Sequence, residues 1–195
     1  MGDGATEPLA APLSPAAQRA VRSDRPQPLC HHASCVAILS VQDGTEAGAG
    51  SSDGRRGECD RHSKQAAAGL LILGPSGSGK SGLALELMAL GARLVADDRT
   101  ALRPTAQGVW ASAPPGLPAA VEARGIGLVP AWPLNECTLR LVVDLGKIET
   151  ERMPPQRHIT LLGHRLPLLH RVAMRSFPAA LLQYLKHSAT ADNPP

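Results

Sequence analysis

Four aromatic residues in 195 leave this chain almost without rings: one Phe, one Tyr and two Trp. Such scarcity excludes a platform of stacked aromatics for single-stranded nucleic acid. Any core must be filled with Leu, Val, Ala and Ile, and a hydrophobic content of 43% is enough to build one. Charge of one sign is also missing. The formal net charge is only +3, and Lys and Arg are scattered, so no nucleic acid partner is expected. No apolar run approaches the roughly 18 residues that cross a bilayer, and nothing reads as a secretory leader. The expected location is cytoplasmic, with no membrane partner. Four cysteines (Cys30, Cys35, Cys59, Cys137) suit reduced thiols in that compartment. Cys30, Cys35 and Cys59 could be grouped with His62 as zinc ligands, but the spacing matches no common pattern and His31 and His32 crowd it.

The length suits one domain of ordinary size. Residues 1–28 are rich in Ala, Pro and Gly without periodicity and read as a disordered tail. The folded unit is expected over residues 29–188, with 189–195 as a short C-terminal tail. Within it, residues 42–67 turn rich in Gly, Ser and charge, a disordered insertion in an otherwise compact domain. Cys35 to Leu39 has the length and branching of a buried strand. Gly69 to Leu73 is a continuous apolar run suited to a central parallel strand. Ser81 to Leu90 is composed of good helix formers, with Leu83, Leu87 and Leu90 on one face and Gly91 placed to cap the end. Further strands are expected at Arg93–Ala96, Gly108–Ser112, Ile126–Val129 and Leu139–Asp144, and a last helix over Phe177–Lys186. Strands alternating with helices around a Gly-rich loop argue for an α/β fold.

That loop carries the strongest signal. Gly74-Pro75-Ser76-Gly77-Ser78-Gly79-Lys80-Ser81 fits the Walker A pattern at every defined position. Glycines let the backbone approach an anion, successive N–H groups form a nest, and the following helix adds the positive end of its dipole. Lys80 would reach the β- and γ-phosphates of ATP, and the Ser81 hydroxyl would ligate Mg²⁺. A strand directly before and a helix directly after supply the context the motif requires. Asp97 and Asp98 follow the next strand, where ligands of doubly wound sheets gather. One carboxylate could ligate Mg²⁺ while the other takes a proton from an attacking hydroxyl; spacing does not say which.

Four segments in order resemble the HPr kinase/phosphorylase family: the Gly74–Ser81 loop with Leu94-Val-Ala-Asp-Asp98, then Val121-Glu-Ala-Arg-Gly-Ile-Gly-Leu-Val129, Glu151-Arg152-Met153-Pro154, and, ahead of them, His32-Ala-Ser-Cys-Val36. The resemblance covers about residues 30–187 and is to the compact form lacking the family's N-terminal domain. It implies a P-loop nucleotide-binding fold of the HPr kinase/phosphoenolpyruvate carboxykinase type, a mixed sheet with flanking helices. It also implies ATP-dependent phosphorylation of a regulatory serine on HPr, the carrier protein of the sugar phosphotransferase system. The reverse step would be phosphorolysis, in which phosphate attacks phosphoserine and yields pyrophosphate. On this resemblance Lys80 holds phosphate, Ser81, Asp97 and Glu122 face Mg²⁺, and Asp98 is the base. His32 tunes that base, and Arg124 and Arg152 stabilise the transferring phosphoryl group. A homo-oligomer, a hexamer in the family, is implied as well.

Two departures stand out. The insertion separates His32 from the phosphate strand, which loop entropy tolerates. An Arg-Pro-Gly-Arg-Asn stretch associated with phosphorolysis in longer members corresponds here to Leu166-Pro-Leu-Leu-His-Arg171, so the kinase expectation is the firmer one. The alternatives are a small-metabolite kinase of the shikimate- or adenylate-kinase type and a non-catalytic nucleotide sensor. A Pro- and Ala-rich stretch after Asp98, where such kinases carry an Arg-rich lid, weighs against the former.

Overall fold

The computed structural model describes residues 29–39 and 67–190. The expected tail over residues 1–28, the insertion up to residue 66 and residues 191–195 lie outside the described residues, as do Cys59 and His62. In chain order the elements are β1 (Leu29–His31), β2 (Ser34–Leu39), β3 (Ala67–Leu73), α1 (Lys80–Ala89), β4 (Arg93–Ala96), β5 (Thr100–Thr105) and β6 (Gly108–Ser112). There follow β7 (Ala120–Ala123), β8 (Gly127–Pro130), β9 (Glu136–Ile148), β10 (Arg157–Leu161), β11 (His164–Arg171) and α2 (Phe177–Thr190).

Nine strands form one mixed sheet, and β7–β8 form a separate hairpin. The spine is β9. One edge pairs in parallel with β3, while the other is shared, β6 pairing antiparallel with its first residues and β11 parallel with its later ones. A strand with two successive neighbours on one edge forces the sheet to curl there. β2 then lies antiparallel between β3 and β4. The expectation of a central strand after residue 69 is met, with one parallel neighbour and one antiparallel.

The apolar run of β3 is continuous because both faces of the sheet are covered. Leu70 and Ile72 pack with Leu141 and Val143 under the helices, against Leu83, Leu87, Phe177, Leu181 and Leu185. Leu71 and Val142 point to the opposite face, among Val95, Leu102, Val109 and Leu139. The core is aliphatic as the composition demands, with Phe177 its one buried ring among the described residues.

Several expectations change. Strand does not alternate with helix: among the described residues only α1 and α2 are α-helices, set against eleven strands. Leu90 is exposed because the helix ends beneath it; the buried side chains of α1 are Lys80, Leu83, Ala84 and Leu87. Gly91 does terminate the helix, in the left-handed conformation with its N–H on Met88 O. The last helix extends to Thr190, past the boundary set for the C-terminal tail. β5 escaped notice because it contains Pro104, a residue that argues against a strand. The β10–β11 hairpin turns on Leu162-Gly163, both at positive φ, the backbone form that suits a two-residue hairpin loop.

Gly69 marks a close approach. A Cβ there would meet Cys137 Sγ at 2.4 Å and Leu139 Cδ2 at 3.2 Å. Above it the sulfurs of Cys35 and Cys137 lie 3.7 Å apart, reaching across β3 from the strands on either side. Strands two positions apart are separated by about 9.5 Å, too far for a disulfide without backbone movement. The hydrogen bond with Cys137, followed by burial, holds the Cys35 thiol well above its ordinary range. Gly69→Ala should cost about 1–3 kcal/mol in urea unfolding, and much of that loss should return in Gly69→Ala/Cys137→Ala. Because folded Cys35 keeps its proton while the unfolded thiol releases it near pH 8.5, stability should fall as pH rises above that value. Unfolding titrations of wild type and Cys35→Ala at pH 7 and 9.5 would show the difference.

Candidate functional site

Strands β3, β4, β9 and β11 run in one direction and β2 in the other. Four carboxyl ends and the start of β2 therefore share one edge of the sheet. The Gly-rich loop follows β3, Asp97 and Asp98 follow β4, and His32 sits in the bend before β2. Topology alone thus brings together segments distant in sequence.

The loop is built for close approach. Gly74 has φ 149, and a Cβ there would lie 2.6 Å from Ser78 Oγ; Gly79 caps α1 in the left-handed conformation. No side chain caps the helix and no acidic residue occupies its first turn, so its positive end is left uncompensated, as an anion site requires. Lys80 is buried, and its ammonium meets Gly74 O at 3.0 Å, Pro75 O at 3.1 Å and His32 Nε2 at 3.1 Å.

An ammonium only donates. His32 Nε2 must therefore accept from Lys80, which places the ring proton on Nδ1, facing Asp98 Oδ1 at 3.1 Å. Lys80, His32 and Asp98 form one line of hydrogen bonds with a neutral imidazole at its centre. Asp98 itself is held at φ 62, a conformation uncommon outside glycine but one that Asp and Asn tolerate best.

Asp97 has different surroundings. Its Oδ1 accepts from the buried Ser34 hydroxyl at 2.6 Å and from Ser81 Oγ at 3.0 Å, and its Oδ2 faces the Glu122 N–H at 3.4 Å. The two neighbouring carboxylates are thus sorted by geometry, Asp97 toward the helix serine and Asp98 toward the histidine. Ser34 was not singled out from sequence. A fully buried serine in a strand of apolar residues is the signal that could have found it.

A cleft of about 590 Å³ opens over these groups, lined by His32, by Ser76, Gly77, Gly79, Lys80 and Ser81 of the loop, and by Asp98, Glu122 and Arg124. Of the residues expected at the site, Lys80, Ser81, Glu122, Arg124, His32 and Asp98 all face it, and Asp97 buttresses it from behind. Arg152 is not among the lining residues; it lies exposed in the loop between β9 and β10. No group of three acidic, Cys or His residues gathers as a metal cage among the described residues. Mg²⁺ does not need one, since it is usually held by one or two carboxylates together with substrate phosphates and water. Ser81 and Asp97, with Glu122 at the rim, fit that donor set.

The Arg152 loop has its own anchor. Glu149 accepts the N–H groups of Thr150 and Glu151, both at 3.1 Å, and pairs with Arg157. The Glu151 N–H foremost, with Arg157 and the Thr150 N–H, holds the Glu149 carboxyl below its usual range, against the opposing pull of desolvation.

Comparison with known proteins points one way. The family model for the HPr Serine kinase C-terminal domain matches residues 66–155. Over this stretch the chain is similar to the HPr kinase family. It is 37% identical over 103 residues to the HPr kinase/phosphorylase of Lacticaseibacillus casei (strain BL23), an alignment covering 49% of this chain and 31% of that protein. With the HPr kinase/phosphorylase of Brevibacillus brevis it shares 47% identity over 93 residues, 44% of this chain and 30% of that protein. The aligned part thus spans about a third of the length of these relatives. The Hpr(Ser) kinase/phosphatase structure from Coxiella burnetii superposes with a TM-score of 0.56 at 22% identity, covering 83% of this chain and 90% of that one. The mixed α/β fold with a curled sheet is therefore shared with that solved structure, and no helix among the described residues is long and apolar enough to cross a membrane.

The Glu149 anchor generates a pH test. A carboxylate with a lowered folded pKa stabilises above its ordinary value, about 4.3, and that contribution is lost as pH falls through the folded value. Glu149→Gln should melt below wild type at pH 7, with the gap closing under acid. Thermal melts at pH 7 and below 4 would show the two curves converging.

Proposed function

We propose that this chain is an ATP-dependent protein kinase that phosphorylates a serine of HPr, with residues 29–188 as its catalytic domain. The observation that carries this reading is the line Lys80–His32–Asp98, which joins a phosphate-binding lysine to a carboxylate facing the same cleft. The family match supports HPr as the acceptor.

In the forward reaction the serine Oγ attacks the γ-phosphorus of ATP, and its proton passes to the Asp98 carboxylate. The bond from the γ-phosphorus to the β–γ bridging oxygen breaks, leaving ADP and phosphoserine. A hydroxyl is a poor nucleophile without such a base. The His32 Nδ1–H keeps one Asp98 oxygen occupied and so orients the other toward the cleft. Lys80 supplies positive charge at the phosphate, and Arg124 at the rim can meet the transferring group. Mg²⁺, held by Ser81, Asp97 and Glu122, would offset the remaining phosphate charge. Asp97 is not the base in this reading because both its oxygens already accept hydrogen bonds from Ser34, Ser81 and the Glu122 N–H.

Phosphorolysis would reverse the same path, with protonated Asp98 returning its proton to the serine oxygen and phosphate taking the place of ADP. A homo-oligomer, a cytoplasmic location and a charge-stabilising role for Arg152 complete the proposal, all on the family resemblance.

Incubation with Mg²⁺, γ-labelled ATP and HPr provides the test. Label should appear on an HPr serine with wild type and be absent with Lys80→Ala. Asp98→Asn should retain ATP binding while slowing transfer by about 10²–10⁴-fold; Asp97→Asn should weaken Mg²⁺-dependent ATP binding itself. Tight ATP binding by wild type without transfer to HPr would exclude this acceptor and favour a small-metabolite substrate or a nucleotide sensor.

A further inference from the structure

The apolar face of the sheet turned away from the helices holds two thiols that the chemistry above does not use. Cys35 and Cys137 are both buried and free, with their sulfurs 3.7 Å apart. Apart from these two, the buried cluster around them consists of Ala, Val and Leu alone. Gly69 stands beneath them, inside β3, where glycine weakens a strand. The space that its Cβ would need is taken by Cys137 Sγ. A central strand thus goes without a side chain at the point where the two sulfurs meet.

The separation of the sulfurs distinguishes two kinds of cross-link. A disulfide would draw them in to about 2.05 Å, with β3 lying between the strands that carry them. A metal ion with two sulfur ligands in line, each at about the 2.3 Å of a metal–thiolate bond, holds them about 4.6 Å apart. That is a widening of about 0.9 Å, which side-chain rotation can supply. Zinc is the wrong ion, because it is nearly always held by four ligands. No third His, Cys, Asp or Glu joins the pair among the described residues.

Charge narrows the choice further. Two thiolates on a monovalent ion keep one negative charge, and the Ala, Val and Leu side chains around them offer nothing to offset it. On a divalent ion the same unit is neutral.

We propose that Cys35 and Cys137 form a two-coordinate site for a thiophilic divalent cation, with the mercuric ion as the member that favours two sulfurs in line. The ion arrives as neutral HgCl2, a form that can enter an apolar interior. Each thiol releases its proton to water as its sulfur–mercury bond forms, and each mercury–chlorine bond breaks to free chloride. Two thiols and one HgCl2 therefore give one neutral dithiolate, two protons and two chloride ions. No electron is transferred. The bound ion ties β2 to β9 across β3. It lies one residue from Ser34, whose hydroxyl holds Asp97.

The test uses the full chain as Cys30→Ser/Cys59→Ser, which removes exposed Cys30 and the cysteine outside the described residues. Titration with HgCl2 should load one mercury per chain and release two protons for each. X-ray absorption of the loaded protein should show two sulfurs at a single distance and no other ligand. The concentration of β-mercaptoethanol that strips half of the metal should fall at least 100-fold when Cys35→Ala or Cys137→Ala is added. ZnCl2 offered in the same way should not be retained. Two mercury ions per chain, a third ligand atom, release of a single proton or no uptake by the folded chain would each overturn the site. So would retention of zinc, or an unchanged stripping concentration in both alanine variants. The metal count, the proton count and the X-ray absorption are all read with the pair intact, so poor folding of an alanine variant does not protect the proposal.

Discussion

The whole cleft edge of the sheet depends on the carboxylate of Asp97. Through it β4 is tied to the head of β2 by Ser34, to the first turn of α1 by Ser81, and to β7 by the backbone of Glu122. Hydrogen bonds to a charged acceptor are among the stronger ones, and leaving such a group buried without partners is costly. Each of those elements carries a side chain that faces the cleft or borders it. His32 precedes β2, Lys80 opens α1, Asp98 follows β4 and Glu122 lies on β7. A single acidic residue therefore sets the relative position of the lysine, the histidine and the second carboxylate.

Asp97 and Asp98 are identical in type and adjacent in sequence, yet their backbones put them to different use. Asp97 continues inward from the strand and is enclosed by serines; Asp98 turns back at positive φ and meets an imidazole at the mouth of the cleft. The division arises where β4 ends at Ala96 and three residues, Asp97 to Arg99, lead into β5. Strain at a turn and the function of its residue often coincide.

Much of this was legible in the sequence. The Gly74–Ser81 loop, the helix behind it and the carboxylate pair could be read from residue types and spacing, because phosphate binding demands particular backbone freedom at particular positions. Glu122 and Arg124 were reached by resemblance, and they do face the cleft. The sheet was harder. β10 and β11 mix His, Arg and Leu without clean alternation, and Pro104 hides β5. Pairing partners depend on contacts far apart in the chain, so the shared edge of β9 had no local signature. Nor could spacing separate Asp97 from Asp98 or single out Ser34, since both depend on which neighbour arrives in three dimensions.

Leu39 and Ala67 face each other as the last paired residues of β2 and β3. The segment between them departs and returns at one point, at the end of the sheet opposite His32 and Gly74, whose neighbours Ser34 and Ile72 pair at the other end. Changing its length alters the closure entropy only logarithmically. That rim is accordingly a natural port, where evolution or an engineer can graft a sensor, a tag or another domain at a distance from the reacting atoms.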